Sequence, residues 1–214
     1  MTFQHDLIVL VADGNMESAV RSLLKRHQAL GVREIDAEII KAAGTNDPGC
    51  IHSCVGYLHG YLKTHKFALV MLDFEGSGQE HQTPAQIETY IQAQLVQDGW
   101  VFTGDDLEAL PRAEAVVIRP ELENWVWTSS AQLPQVLGWP VGEDLRSWLE
   151  SQQLWTQNQA KPSDPKKALE KTLRFLRKPR SSSIYKNIAE TVSFKHCSDT
   201  AFQRFCAILR RWFL

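Results

Sequence analysis

The chain has 214 residues, of which 43% are apolar and 22% charged, and its net charge at pH 7 is −2. This length suits one large domain or one domain with an appendage. No apolar run approaches the roughly 20 residues of a transmembrane helix, and charges occur too early for a signal peptide. The composition therefore excludes a helical membrane protein and predicts a cytoplasmic protein with no membrane partner.

The small net charge hides an asymmetry along the chain. Residues 1–160 contain 10 Lys/Arg and 21 Asp/Glu, whereas residues 161–214 contain 13 Lys/Arg and 4 Asp/Glu. A strongly basic end indicates a nucleic-acid or other polyanionic partner. Alternatively, the basic end packs on the acidic body and the charges partly cancel, and both explanations can hold together.

The first part of the chain alternates strand and helix patterns. The apolar residues 7–12 predict a buried strand, and helical spacing predicts a helix over residues 16–30 that Gly31 ends. Residues 35–42 predict a second strand, a loop follows over residues 44–49, and residues 51–65 carry a helical stripe. This order is typical of parallel strands joined by right-handed helical crossovers.

The central strand is predicted over residues 67–72, directly before Asp73 and Glu75. A helix should then begin at Thr83-Pro84, since Thr suits an N-cap and Pro the first helical position. Another apolar strand is predicted over residues 115–119. The fold class that follows is α/β, a Rossmann-like, mostly parallel sheet flanked by helices, with a helical C-terminal extension.

The domain prediction divides the chain near a polar stretch that resembles a linker. Residues 1–156 form the α/β domain, and residues 157–214, called the tail below, form a basic helical extension packed on it or linked to it. Within the tail, residues 166–177 and 200–212 are predicted helices.

Acidic side chains follow three of the predicted strands. They come in pairs, one pair after each strand: Asp13 and Glu17, Asp73 and Glu75, Glu121 and Glu123. The carboxyl ends of parallel strands meet at one edge of a sheet, where ligands bind. Carboxylates gathered there repel one another unless cations neutralise them. Oxygen ligands of this kind suit Mg²⁺ or Mn²⁺ and support phosphoryl-transfer chemistry.

Each carboxylate alone has a simpler explanation, as a helix N-cap or a solvated loop charge, and Asp13 in particular is a good N-cap. It is their joint placement after three strands that favours a metal site. The chain has no GxxxxGK[ST] sequence, and the glycines after Asp73 lack the full dinucleotide fingerprint. These absences argue against a P-loop NTPase and a dinucleotide-binding protein.

The strand-end motifs resemble a known family. Asp13-Gly14-Asn15-Met16-Glu17 resembles the Glu-Gly-x-Thr-Glu element of Toprim-type nucleases, and Asp73-Phe74-Glu75 resembles their Asp-x-Asp element. The segment 120–125, PELENW, is similar to a Pro-Glu-x-Glu-x-Trp segment of small Toprim-related proteins in bacterial antiphage defence islands, relatives of the OLD-family nucleases. The resemblance covers roughly residues 6–130 and implies a Toprim-like fold with divalent-metal-dependent cleavage of DNA or RNA.

The resemblance also implies roles for these residues. Asp13, Glu17, Asp73 and Glu75 would be catalytic and would bind Mg²⁺ or Mn²⁺, and Glu121 and Glu123 would complete the shell of a second metal. Two positions depart from the family pattern, because Asp13 replaces a Glu and Glu75 replaces an Asp, which changes the reach of each carboxylate.

Nucleic acid would be held by basic side chains near the site and in the last helix: Arg119, Arg204, Arg210 and Arg211. Arginines next to aromatic residues can combine phosphate contacts with base stacking. An amphipathic helix that docks on the body with its arginines outward explains the same pattern.

The sequence therefore predicts a metal-dependent nuclease of prokaryotic antiphage defence that acts on nucleic acid and can have other defence proteins as partners. The alternative is a non-catalytic Toprim-like component of a multi-protein defence complex, which binds a partner or nucleic acid.

Overall fold

The structure is a computed structural model that describes residues 2–104, 107–128, 130–195 and 197–214. Its strands, in chain order, are β1 (His5–Val11), β2 (Ala37–Lys41), β3 (His65–Asp73), β4 (Val101–Gly104), β5 (Leu107–Pro111) and β6 (Ala113–Ile118).

Helices occupy most of the chain between and after these strands. Those before the tail are α1 (Gly14–Leu24), α2 (His27–Leu30), α3 (Asn46–His52), α4 (Cys54–Leu58), α5 (Pro84–Gln97), α6 (Glu123–Val126), α7 (Gln132–Leu137) and α8 (Leu145–Ser151), with a 3₁₀ turn at His59–Tyr61. Those in the tail are α9 (Pro165–Phe175), α10 (Ser182–Thr191) and α11 (Thr200–Phe213).

The central sheet of the described residues is parallel throughout, in the order β2-β1-β3-β6. The chain leaves β1 towards β2 and then returns past β1 to β3, so the direction of winding reverses between β1 and β3. In open α/β sheets such a switch point opens a crevice at the carboxyl ends of the strands. The predicted α/β, Rossmann-like architecture with C-terminal helices is confirmed. β4 and β5 form a separate antiparallel ribbon.

Side chains on the central strands alternate between two faces, as the pleat requires. Leu7, Val9 and Val11 of β1 pack with α1 and the tail helices, on what we call the tail-covered face. Ile8 and Leu10 pack with α3, α4 and α5 on the opposite face. Both faces are buried, which explains why the strands are apolar runs without alternation.

The tail supplies much of the helix layer on the tail-covered face. α10 packs along α1, and α11 packs on β6. Near its end, α11 stacks Trp212 on Phe67 of β3 with ring centroids 4.5 Å apart. Tail residues such as Leu169 and Phe205 belong to the same hydrophobic cluster as β1 and α1. The tail therefore shares a core with the sheet.

Local sequence signals place several helix ends correctly. The side chain of Thr83 accepts a hydrogen bond from the amide of Gln86, and the side chain of Gln86 accepts one in return from the amide of Thr83. This reciprocal capping box fixes the start of α5. Gly31 has φ +74° and follows α2, where a residue with a side chain would be strained.

The prediction of one helix over residues 51–65 is wrong. Helical structure begins earlier, at Asn46 inside the predicted loop, and is broken at Ser53 before α4 and the 3₁₀ turn. Gly56 and Gly60 weaken helix formation in this segment. The stripe that suggested a helix nevertheless faces the sheet, since Ile51 and Leu58 are buried there.

Among the described residues, no helix combines the length and the apolar character that crossing a membrane would require.

Phe205→Ala is expected to lower the free energy of unfolding by about 3–5 kcal/mol, because Phe205 is fully buried in the core shared by the tail and the sheet. Urea unfolding should still show one cooperative transition. Val141→Ala, at a fully exposed position, serves as the control and should change stability by less than about 0.5 kcal/mol. A separate transition in which the tail unfolds and the sheet persists would contradict a shared core.

Candidate functional site

Two acidic residues, Asp73 and Asp47, meet at the switch point. Asp73 is the last residue of β3, and its Oδ1 accepts a hydrogen bond from the amide of Leu122 at 2.8 Å. Its own amide donates to Oδ1 of Asp47 at 2.7 Å. Asp73 of β3 and Asp47 of α3 are thereby held side by side at the edge of the sheet.

Asp13 lies at the same edge and has a structural task as well. It is the N-cap of α1, and its Oδ1 accepts a hydrogen bond from the amide of Met16 at 2.8 Å. Next to it, Asn15 accepts a hydrogen bond from Ser182 of the tail at 3.0 Å. The N-cap explanation for Asp13 is therefore correct. The cap hydrogen bond uses only one of the two carboxylate oxygens fully.

Glu17 and Glu75 differ from the half-buried aspartates in their surroundings. Glu17, one turn into α1, forms ion pairs with Arg21 at 3.1 Å and Lys41 at 3.8 Å. Glu75 is exposed, and its amide donates to the carbonyl of Pro120. Glu17 is therefore compensated by basic residues, and Glu75 is solvated.

Glu121 and Glu123 are buried and receive basic partners from the tail. Lys166 donates to Oε1 of Glu121 at 2.5 Å. Glu123 is only 1% exposed and accepts hydrogen bonds from Arg180 and from the hydroxyl of Tyr185. The tail thus neutralises the two glutamates that were predicted as ligands of a second metal, and that role stays a prediction.

The whole segment that follows β6 acts as an attachment point for the tail. Beyond the two glutamates, Asn124 and Trp125 both donate hydrogen bonds to Asp199, which caps α11. Lys161 donates to the carbonyl of Asn124 at 2.7 Å. Four residues of the PELENW segment, Glu121, Glu123, Asn124 and Trp125, therefore hold the tail in place. Its sequence did not reveal this role.

The electrostatics separate the carboxylates into two groups. Burial, then the charges of Asp47, Glu123 and Glu121, raises the pKa of Asp73 well above the usual carboxyl value. Burial, then the charges of Asp13 and Glu121, raises the pKa of Asp47. Within the described residues no basic side chain lies within 4.0 Å of Asp13, Asp47 or Asp73, although Glu17, Glu121 and Glu123 all have such partners.

These three aspartates, called the aspartate group below, fit a hard divalent cation in their chemistry. In the described part of the chain, no three His, Cys, Asp or Glu side chains converge closely enough to form a complete ligand set. Mg²⁺ needs no such set, since it keeps several waters and binds through one or two carboxylates. Asp47 and Asp73 supply that number.

Sequence reasoning missed Asp47, which it assigned to a turn, and the cations Lys166 and Arg180. Asp47 follows β2 by a few residues, so its position after a strand end was the available signal. No comparable signal marked the two cations, because their partners are 45 and 57 residues away in the chain.

The predicted nucleic-acid ligands are spread over the molecule. Arg204 and Arg211 both pair with Glu114, and Arg204 also pairs with Glu88. Arg119 is exposed and lies over the ring of Phe74, with its guanidinium carbon 5.0 Å from the ring centre. Arg210 donates to the carbonyl of Leu30. A nucleic-acid role for each of these arginines stays a prediction.

Comparison of the chain with family models, with curated proteins and with solved structures found no match. The resemblance to Toprim-type nucleases therefore stays a prediction that rests on the strand-end motifs.

Asp73→Asn is expected to stabilise the protein at neutral pH in the presence of a chelator. Because the pKa of Asp73 is raised on folding, the folded state keeps a proton that the unfolded chain loses above about pH 4. The contribution of Asp73 to stability is full below that pH and declines as the pH rises through the folded pKa. Asparagine keeps the oxygen that accepts from Leu122 but has no charge, so the gain should be about 1 kcal/mol or more.

Urea unfolding between about pH 5 and about pH 8 checks this prediction, since the gain should grow as the pH rises. Glu150→Gln, which removes a half-buried carboxylate paired with Arg146, is the matched control and should show no such trend. A variant less stable than wild type at the upper pH would show that the charge on Asp73 stabilises the fold.

Glu123→Ala is expected to cost about 3 kcal/mol, because it leaves Arg180 and Tyr185 without their shared acceptor. Glu75→Ala, at an exposed carboxylate on the same edge, should change stability by less than about 0.5 kcal/mol. Thermal unfolding of both variants checks this, and equal melting temperatures would contradict the attachment role of Glu123.

Proposed function

We propose that the chain is a divalent-metal-dependent nuclease that hydrolyses phosphodiester bonds at the carboxyl edge of its sheet. The observation that carries the proposal is the aspartate group. Asp47 and Asp73 are held side by side at the switch point, and Asp13 lies near enough for its charge to act on Asp47. The pKa values of Asp47 and Asp73 are raised, and no described basic residue pairs with any of the three. Such an arrangement costs folding free energy, and perturbed carboxyl groups of this kind concentrate at functional sites.

Asp73 and Asp47 would hold the cation, with Asp13 as a further oxygen donor at the rim. A bound Mg²⁺ or Mn²⁺ would supply a water of lowered pKa and offset the charge of a phosphate. The chain itself orients the site, since the amide of Leu122 fixes Oδ1 of Asp73 and the amide of Asp73 fixes Oδ1 of Asp47. Their remaining oxygens are left for the metal.

Lys166 would contribute a positive charge beside the aspartate group. Its ammonium group pairs with Glu121, whose charge acts on both Asp47 and Asp73. The Lys166 side chain is 40% exposed, so it can shift from Glu121 to a phosphate oxygen without unfolding α9. Positive charge at this place would stabilise the negative charge that develops on a phosphate during hydrolysis.

The biological setting of the proposal rests on the motifs. Their resemblance to Toprim-related proteins of defence islands supports a cytoplasmic role in prokaryotic antiphage defence, with DNA or RNA as substrate and other defence proteins as possible partners.

A second candidate function is a non-catalytic component of a defence complex. The tail cations on Glu121 and Glu123 favour it, because they neutralise part of the acidic edge without any metal. In that case the PELENW segment only anchors the tail, and the aspartate group serves as helix cap and loop support.

Isothermal titration of Mg²⁺ and Mn²⁺ into the purified protein should show binding that Asp73→Asn abolishes. Cleavage of labelled DNA and RNA oligonucleotides should require the same metal. Losing a group that merely supports a metal ligand costs about 10–100-fold, so losing Asp73 should reduce cleavage by at least that much.

Glu150→Gln is again the control, because its carboxylate lies in α8 and pairs with Arg146. Circular dichroism of each variant should match wild type. Failure of wild type to bind metal or cleave any of the substrates, with the fold intact, would overturn the nuclease and leave the non-catalytic component.

A further inference from the structure

A basic groove lies at the far end of α1 from the aspartate group. It is an open groove of about 570 Å³ between the turn after α1, the segment that joins α10 to α11, and α11 itself. Arg26, Lys195 and Arg210 line it, and no acidic residue is among its described lining residues. This groove, with its three basic residues, is called the basic groove below.

The two arginines are held by helix ends and not by carboxylates. Nη1 of Arg26 donates to the carbonyls of Ala189 and Val192, at 2.7 and 2.9 Å. Nε of Arg210 donates to the carbonyl of Leu30 at 2.8 Å. The carboxyl end of a helix attracts cations, so these contacts position the guanidinium groups without cancelling their charge.

Much of the hydrogen-bonding capacity of the basic groove is unused. A guanidinium has five N–H donors, and no described residue accepts from Nε or Nη2 of Arg26, or from either terminal nitrogen of Arg210. Lys195 is exposed and has no carboxylate within 4.0 Å among the described residues. Arg26 is further restrained by Phe194, with its guanidinium carbon 4.4 Å from the ring centre. Little side-chain entropy remains to be lost when an anion binds.

The contrast with the other tail arginines makes the groove distinctive. Arg204 and Arg211 are compensated by Glu114, and Arg180 by Glu123. The basic groove instead contains two preorganised arginines and one exposed lysine, whose charges are not compensated within the described chain. Arginines with free parallel N–H groups bind phosphates in a bidentate manner.

We infer that the basic groove binds the sugar–phosphate backbone of a nucleic acid, at a site separate from the aspartate group. This inference rests on the proposed function, since it names the surface that holds the substrate. The terminal nitrogens of Arg26 and Arg210 would donate hydrogen bonds to phosphate oxygens, and Lys195 would add a more mobile charge. Backbone contacts of this kind position a nucleic acid without reading its sequence.

The separation of the two sites sets the length of the ligand. Arg26 follows Asp13 by one helix and a short turn, which at 1.5 Å per residue amounts to about 20 Å. A duplex covers that distance in roughly six base pairs at 3.4 Å per pair. An oligonucleotide of about 20 nucleotides is therefore long enough to occupy both sites.

Fluorescence anisotropy with a labelled oligonucleotide of about 20 nucleotides, single-stranded and as duplex, tests the inference in EDTA, where no cleavage occurs. Lys195→Gln and Arg210→Gln should each weaken binding about tenfold, and each should lower the slope of log affinity against log salt by about one. Lys63→Gln removes an exposed lysine outside the basic groove and should leave both quantities as in wild type. Melting temperatures identify any variant that fails to fold.

The outcomes separate this inference from the nuclease itself. The basic groove does not bind nucleic acid if its variants bind the oligonucleotides as tightly as wild type. The same conclusion follows if wild type binds neither oligonucleotide at low salt. Both results hold whatever the cleavage assay shows. If the groove variants lose oligonucleotide binding and wild type cleaves with neither Mg²⁺ nor Mn²⁺, the basic groove binds nucleic acid but the protein is not a nuclease. If the groove variants lose binding to anionic lipid vesicles but not to oligonucleotides, the inference of nucleic-acid binding by the basic groove is wrong.

Discussion

A parallel sheet with two apolar faces must be covered by helices on both sides, and this requirement organises the molecule. On the opposite face, α3, α4 and α5 lie between the strands they connect. On the tail-covered face, α1 is the only long crossover helix within the described chain, so much of that face depends on the tail. Burying the sheet therefore brings basic helices against an acidic domain.

That packing determines how charge is distributed at the carboxyl edge. Lys166 and Arg180 arrive with the tail and neutralise Glu121 and Glu123, whereas Asp13, Asp47 and Asp73 receive no such partner among the described residues. An uncompensated, partly buried carboxylate destabilises the folded state unless the binding of a ligand offsets this effect. The same edge thus combines a structural half, which holds the tail, with a half whose carboxylates have no basic partner among the described residues.

The charge asymmetry of the chain has more than one physical basis. Part of the excess positive charge in the tail is cancelled internally, as with Arg204 and Arg211 against Glu114. Another part remains uncompensated in the basic groove, where helix carbonyls orient Arg26 and Arg210. Internal packing therefore accounts for Arg204 and Arg211, whereas a polyanionic partner is our proposal for Arg26 and Arg210.

The sequence by itself determined the parallel α/β fold, because apolar runs that end in acidic or glycine-rich turns identify buried strands and their carboxyl ends. It also located Asp13 and Asp73 at one edge, because the carboxyl ends of parallel strands lie at the same edge of a sheet. The helix ends at Thr83 and Gly31 were located as well, because they depend on local hydrogen bonding and backbone conformation. Only the tertiary structure decided that Asp47 joins Asp73, that Lys166 and Arg180 neutralise the glutamates, and that the groove cations have no acidic partner in the described chain. Those features depend on contacts between residues far apart in the chain, which periodicity and local motifs do not encode.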